Sequence, residues 1–260
     1  MAASSLRMVT DGRGVCTLTL SRPDCANALD GTLVGEMLAA FEGLKGDRGL
    51  RILVLTGEGA TFSGGADLRR MEAMGRADAA ANLQDAIALA RLFESLAGFG
   101  QPTLARVNGP VYGGAIGLIA ACDIAVASSD ARFAFREVRL GLIPAVIAPL
   151  VVNAIGQRQA RRWMLTGETF DAGTAQNLGL VHLVAPPQEL DAAVEGEVRH
   201  VLAGGPASLV EAKALLGRWT ASSPVSSREL AEQLAELRSS PEGREGILAF
   251  LEKRGPEWRR

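Results

Sequence analysis

An α/β fold with buried, mostly parallel strands and a helical C-terminal region is what the patterning of this chain predicts. Short apolar runs of β character alternate with helical patterns as far as residue 185. Two glycine-rich turns each lead from a strand-like run into a helical one, and after Pro186-Pro187 only helical patterns remain. Alternation of this kind is how a sheet acquires helices packed on its faces.

Taken in order, β-like runs occur at Val15–Leu20 (VCTLTL), Arg51–Thr56 (RILVLT), Thr103–Val107 (TLARV), Ile124–Ala127 (IAVA) and Leu180–Val184 (LVHLV). Between them, Thr32–Leu44 carries apolar residues at helical spacing, and Ala79–Leu96 is a longer, alanine-rich helical stretch. The AIGLIAACD stretch after Gly114 reads as a buried helix. Asp30 and Asp67 stand where helix N-caps are expected, the second ahead of a helix beginning at Leu68. Beyond the double proline, Gly204-Gly205-Pro206 and Ser222–Ser227 break the helical patterns. The expected organisation is an α/β core over residues 1–185 and a helical region over 186–260.

Composition narrows the function classes. The chain has 260 residues, 48% of them hydrophobic, and a formal net charge of −2. That balance gives no bulk reason for nucleic-acid binding, and the lysines are only Lys45, Lys213 and Lys253. Cys16, Cys25 and Cys122 are odd in number, widely separated and outside any CxxC, which reads as reduced thiols in a cytoplasmic protein. With His182 and His200 alone, a histidine-based zinc site or Ser-His-Asp triad has little material. The start MAASSLRMVT has no apolar h-region, and no apolar run is long enough to span a membrane.

The chemistry concentrates in three segments: FSGGADL (Phe62–Leu68), NGPVYGGAIGLIAACD (Asn108–Asp123) and FAFREVRLGLIP (Phe133–Pro144). Gly64 and Gly65 allow backbone angles closed to other residues, and Ala66 leaves its N–H uncrowded. Gly114 opens a helix, whose N-terminus offers unpaired N–H groups and a dipole that favours negative charge. Glu137 stands among Phe133, Phe135 and Val138, where desolvation raises a carboxyl pKa; a surface pairing with Arg136 or Arg139 is the alternative. Two freed N–H groups facing one carboxyl group suit chemistry at a carbon next to an activated carbonyl.

On these segments the chain resembles the crotonase (enoyl-CoA hydratase/isomerase) superfamily, over nearly its whole length. The resemblance implies a crotonase (ClpP-like) spiral of ββα units with a helical C-terminal trimerisation region. It implies that Ala66 and Gly114 donate to a thioester oxyanion and that Glu137 transfers protons. SRPDCANALD (Ser21–Asp30) is similar to the family's RPxxxNAL segment, and EGREGILAFLEKRGPEW to its C-terminal helix. Coenzyme A is then part of the substrate, bordered by Ala26, Ala28, Ala66, Asp67, Leu68, Phe250 and Lys253, the last two often from a neighbouring subunit. Lys213 fits a common family lysine. No cofactor or metal is implied, and the partners are an acyl-CoA thioester and further copies of the chain, as trimer or hexamer.

One position departs from the family pattern. Two-carboxylate hydratases carry a second glutamate three residues after the oxyanion glycine, where this chain has Gly117; Asp123 is too far along to replace it and reads as structural. GGAIGLIAACD with FREVRLGLIPAVI resembles the bacterial methylglutaconyl-CoA hydratases of leucine catabolism, which interconvert 3-methylglutaconyl-CoA and 3-hydroxy-3-methylglutaryl-CoA. The substrate's free carboxylate then needs a cation, for which Arg69 and Arg70 are the first candidates and Arg136 and Arg139 the second. A single-glutamate enoyl-CoA isomerase, a decarboxylase of the same thioester, and an AU-rich RNA-binding relative are the alternatives. The scarcity of lysine and lack of basic-aromatic interleaving speak against the last.

Overall fold

The computed structural model describes residues 4–219 and 227–259. A six-stranded sheet runs in the order β1 (Leu6–Thr10), β2 (Val15–Leu20), β3 (Ile52–Gly57), β4 (Thr103–Val107), β6 (Ile124–Ser128) and β9 (Leu183–Ala185). β1 pairs antiparallel with β2, and every other neighbour pair in this sheet is parallel. A smaller sheet joins β5 (Val111–Tyr112), β7 (Arg132–Ala134) and β8 (Phe170–Asp171), parallel then antiparallel.

The central strands are buried on both faces, and their alternation sorts the side chains. Ile52, Val54, Leu104 and Val126 face α7 (Leu190–Leu202) through Leu190, Val194, Val198 and Val201. Leu53, Leu55, Ala105, Val107, Ala125 and Ala127 face the larger core. That core is filled by α1 (Gly31–Leu44), α3 (Ala79–Ala97), α4 (Ala115–Ala121) and α5 (Ala148–Thr166). A strand covered on both sides is mostly apolar, which is why RILVLT is readable without a polar/apolar alternation; TLARV is readable although Thr103 and Arg106 interrupt its apolar residues.

Sequence and structure differ chiefly at edges. β1 is an exposed edge strand with no apolar run to mark it, and β5, β7 and β8 are two or three residues long. The run expected at Leu180–Val184 pairs only from Leu183, because Leu180 and Val181 turn into the larger core instead. Both expected caps hold: Asp30 accepts from the Leu33 N–H at 2.8 Å, and Asp67 accepts from the N–H groups of Arg69 and Arg70 at the start of α2 (Leu68–Arg76). After β9 the chain continues through α7, α8 (Pro206–Trp219), α9 (Ser227–Ser239) and α10 (Pro241–Leu251). The Ser222–Ser227 breaker falls outside the described residues up to Ser227, where α9 begins.

Two polar anchors tie this C-terminal part to the core. Lys213 donates to Asp123 at 2.7 Å and to the Gln101 carbonyl at 3.0 Å. Asp123 in turn accepts from the N–H and hydroxyl of Thr103, which makes it structural, as its distance from the glycine turn suggested. Arg51, just ahead of β3, donates to the carbonyls of Leu202, Gly204 and Trp258.

Gly117 is tightly packed in the larger core. A Cβ there would stand 2.3 Å from Ile147 Cγ2 and 3.0 Å from a Phe93 ring carbon. Both neighbours are almost wholly buried. Gly117→Ala gains about 1 kcal/mol of helix propensity. Overpacking a filled core costs about 1–3 kcal/mol, so net destabilisation is expected. Thermal unfolding followed by circular dichroism should show a lowered Tm, restored in part by Ile147→Ala. A Gly117→Ala protein as stable as the parent would mean that α4 does not pack on Ile147 this way.

Candidate active site

The turn Phe62–Asp67 is built by the two segments that flank it. On one side, the Leu29 N–H donates to the Gly65 carbonyl, Gly64 N–H to Ala26, and Asp67 N–H to Leu29. On the other, the N–H groups of Phe62 and Ser63 donate to the Pro110 carbonyl, and Tyr112 N–H donates to Ser63. Gly65 adopts φ +89°, and a Cβ there would lie 2.4 Å from the Tyr112 carbonyl oxygen, so no other residue fits. The ladder uses the N–H groups of residues 62–65 and 67 and skips that of Ala66, which has no partner among the described residues.

Asn27 holds this arrangement from below. It is fully buried at φ +52°, and its side-chain amide donates to the carbonyls of Glu58 and Thr61 while accepting from the Arg22 N–H. Its own carbonyl accepts from the Ser63 hydroxyl at 2.8 Å. Asn27 stands between the expected Ala26 and Ala28 and is not among the residues the sequence points to. Asparagine's tolerance of the left-handed region, in the middle of the RPDCANAL run, was the available signal.

The second turn follows β5. Gly113 takes φ +53° and donates its N–H to the Ala134 carbonyl, while Gly114 forms the N-cap of α4 with its own N–H free. A Cβ on Gly113 would come within 3.1 Å of Glu137 Oε1, so the acid sits directly against this turn. Glu137 opens a 3₁₀ turn, Glu137–Leu140. Its Oε2 is buried with no hydrogen-bond partner. Burial pushes the carboxyl above its usual range, opposed only in part by its own backbone N–H. Neither Arg136 nor Arg139 ion-pairs with it, so the surface-pairing alternative does not hold among the described residues.

Ala66, Gly114, Glu137 and Met71 line two adjoining cavities. One, of about 250 Å³, continues over Leu68, Tyr112, Arg136, Arg139 and Leu140. The other, of about 370 Å³, runs along Leu89 and the segment from Gly141 to Ile147. Met71 was not foreseen, although its i, i+3 spacing from Leu68 on α2 puts both on one helix face. The loop 141–147 carries no periodicity and could not be placed from sequence.

Several expected residues are elsewhere. Arg70 ion-pairs with Asp85 and borders a third cavity beneath α1 and α3, which shares Ala66 and Met71 with the two at Glu137, and Arg69 lines none of the three. Of the two pairs expected to meet a substrate carboxylate, Arg136 and Arg139 line the cavity with Glu137, whereas Arg70 is engaged by Asp85. Phe250, 83% exposed on α10, and Lys253, just beyond it, also lie outside both cavities. Ala26 packs against Gly64, whose Cβ position is 3.4 Å from the Ala26 methyl, and Ala28 is buried beside it. At Gly117, the direction a second acid would take is filled by Ile147 and Phe93.

Chemically, two unpaired N–H groups and a desolvated carboxyl group in one apolar space can stabilise an enolate oxygen and move a proton beside it. Among the described residues no cluster of three or more metal-ligating side chains occurs, and no helix is long and apolar enough to cross a membrane.

Comparison with known proteins agrees with this geometry. The family model described as enoyl-CoA hydratase/isomerase matches residues 10–260. The 2,3-dehydroadipyl-CoA hydratase of Escherichia coli K12 is 33% identical, over 97% of this chain and 98% of its own. The mevalonyl-coenzyme A hydratase SIDH of Beauveria bassiana is 33% identical, over 94% and 91%. The crystal structure of an enoyl-CoA hydratase from Shewanella pealeana superposes with a TM-score of 0.91 at 41% identity, over 98% of this chain and 96% of that one. With its fold matched by a solved hydratase and its length spanned by the family model, this chain belongs to the enoyl-CoA hydratase/isomerase family of the crotonase superfamily and is an enzyme of the hydro-lyase type.

Proposed function

We propose that this enzyme interconverts 3-methylglutaconyl-CoA and 3-hydroxy-3-methylglutaryl-CoA, in leucine or isovaleryl-CoA metabolism, with Glu137 as its one proton-transferring acid. The observation that carries the reading is the unpartnered Glu137 Oε2 in the cavity that Ala66 and Gly114 also line, with no second carboxyl group there. In hydration, the Glu137 carboxylate takes a proton from water as the water oxygen bonds to C3. The N–H groups of Ala66 and Gly114 hold the enolate oxygen that forms. Protonated Glu137 then returns its proton to C2, on the same face. Dehydration is the reverse: C2 loses its proton to Glu137, which passes it to the departing hydroxyl.

Gly117 supports a single-acid scheme, since Ile147 fills the second-acid direction. The apolar wall from Leu142 to Ile147 suits a methyl branch at C3, and Arg136 and Arg139 offer cations for the far carboxylate. The E. coli relative's name denotes an enoyl-CoA that carries such a carboxylate. We further propose assembly into trimers or hexamers in the cytoplasm; exposed Ile247, Phe250 and Leu251 on α10 suit burial against another copy, which would bring Phe250 and Lys253 to coenzyme A.

Purified enzyme incubated with 3-methylglutaconyl-CoA should give a product heavier by one water. A product of unchanged mass with a shifted double bond would make it an isomerase, and loss of carbon dioxide a decarboxylase. Glu137→Gln should lower kcat by about 10²–10⁴-fold with thioester binding retained; a variant within a few-fold of the parent would end the single-acid scheme.

The pH profile follows from the sign of the Glu137 shift. The catalytic cycle starts from the carboxylate in both directions, and burial raises the pKa above 4.5. kcat/KM should therefore fall on acidification through an apparent pKa above that value, and the limb should vanish in Glu137→Gln. Ala66→Pro removes one oxyanion donor and should cost about 3 kcal/mol of transition-state stabilisation in single-turnover measurements. Normal turnover in a folded Ala66→Pro protein would put the thioester oxygen elsewhere.

A further inference from the structure

We propose that Arg136, held over the ring of Tyr112, is the anion-binding group that selects CoA esters bearing a carboxylate on the acyl chain. The inference rests on the hydratase reading for the presence of a CoA ester and adds the group that chooses among them.

The guanidinium carbon of Arg136 stands 3.7 Å above the Tyr112 ring centroid, and both residues line the cavity with Glu137. Stacking leaves the in-plane N–H fork of a guanidinium free, the geometry that matches a carboxylate. Arg136 forms no ion pair among the described residues, whereas Arg22, Arg70, Arg106 and Arg254 are each committed to an Asp or Glu. Arg139 is a weaker candidate. Its Nη2 donates to the Thr166 carbonyl at 3.4 Å, and its Nε lies against Gly167 at the end of α5.

A guanidinium bonded to Glu137 would hold that acid ionised and spend its own charge. Glu137 Oε2 instead has no partner, and Arg136 is turned onto Tyr112. One residue of the pair is thus left for protons and the other for a distant negative charge, in a cavity whose other walls are largely apolar. Tyr112 is the chain's only tyrosine, and it fixes the cation without neutralising it.

Binding of saturated, unreactive esters tests this without turnover. Glutaryl-CoA and valeryl-CoA have the same acyl carbon count and differ at the far end by a carboxylate. By calorimetric titration the parent enzyme should bind glutaryl-CoA more tightly, by about tenfold at low salt, with the preference shrinking as salt is added. Arg136→Gln, checked for folding by circular dichroism, should remove the preference. Arg136→Lys, which keeps the charge and loses the fork, should retain part of it. Equal affinity of the parent enzyme for the two esters overturns the proposal whether or not any variant folds, and so does an undiminished preference in folded Arg136→Gln. The hydratase reading is tested separately by the product mass with 3-methylglutaconyl-CoA. A glutaryl-CoA preference abolished by Arg136→Gln, with no hydration of that substrate, would sink the proposed reaction and leave the anion site standing.

Discussion

The candidate site depends on a backbone turn clamped from both sides. Phe62–Asp67 is too rich in glycine and small residues to hold a shape by its own propensity, so its conformation is imposed by Arg22–Leu29 on one flank and Pro110–Tyr112 on the other. Asn27 is the fastener: one buried side chain satisfies the carbonyls of Glu58 and Thr61 and the N–H of Arg22. Removing one partner from such a network strands several buried polar groups, each worth about 1–3 kcal/mol. The rigidity has a chemical use. The N–H groups of residues 62–65 and 67 are engaged and that of Ala66 has no partner among the described residues, so this turn keeps one donor on a residue that lines the cavity, held without need to reorganise.

Glu137 is arranged on the opposite logic. Where all but one of the turn's N–H groups are engaged, the acid is left short of partners: one oxygen is buried without a hydrogen bond, and among the described residues neither Arg136 nor Arg139 pairs with it. Desolvation is unfavourable to the charged form and brings the carboxyl toward the range where it can both take and give a proton. The filled space at Gly117 belongs to the same design. Ile147 and Phe93 put packed hydrocarbon where a second acid would stand, which leaves one acid to carry all proton movement in the proposed reaction.

The sheet is the platform that brings these pieces within reach. β3 and β4 lie side by side, so the turn after β3 and the turn after β4 emerge at the same edge. α7 closes the far face through valines at helical spacing, and Lys213 and Arg51 fasten the C-terminal part by charge-to-carboxylate and charge-to-carbonyl contacts. Arg51 Nε is left buried without a partner, and the Arg51 side chain is partly desolvated, so this anchor costs some solvation to fix where the tail leaves the core.

The sequence by itself determined the elements whose cause is local. Val15–Leu20 and Thr103–Val107 were legible to the residue because apolar and β-branched residues dominate each run, and Asp30 and Asp67 because N-caps act within three residues. The segments carrying Ala66, Gly114 and Glu137 were legible because each is a compact motif. What only the tertiary structure decided was everything set by distance across the fold. β1, β5, β7 and β8 exist because a neighbour pairs with them, not because their few residues prefer it. Arg69 and Arg70 stood next to the turn in sequence, yet helix phase turned Arg70 to Asp85, while Arg136 reached the cavity by stacking on a tyrosine twenty-four residues earlier in the chain. Adjacency along the chain fixes backbone geometry, but which face a side chain presents, and what it meets there, is settled only when the helices and sheet pack.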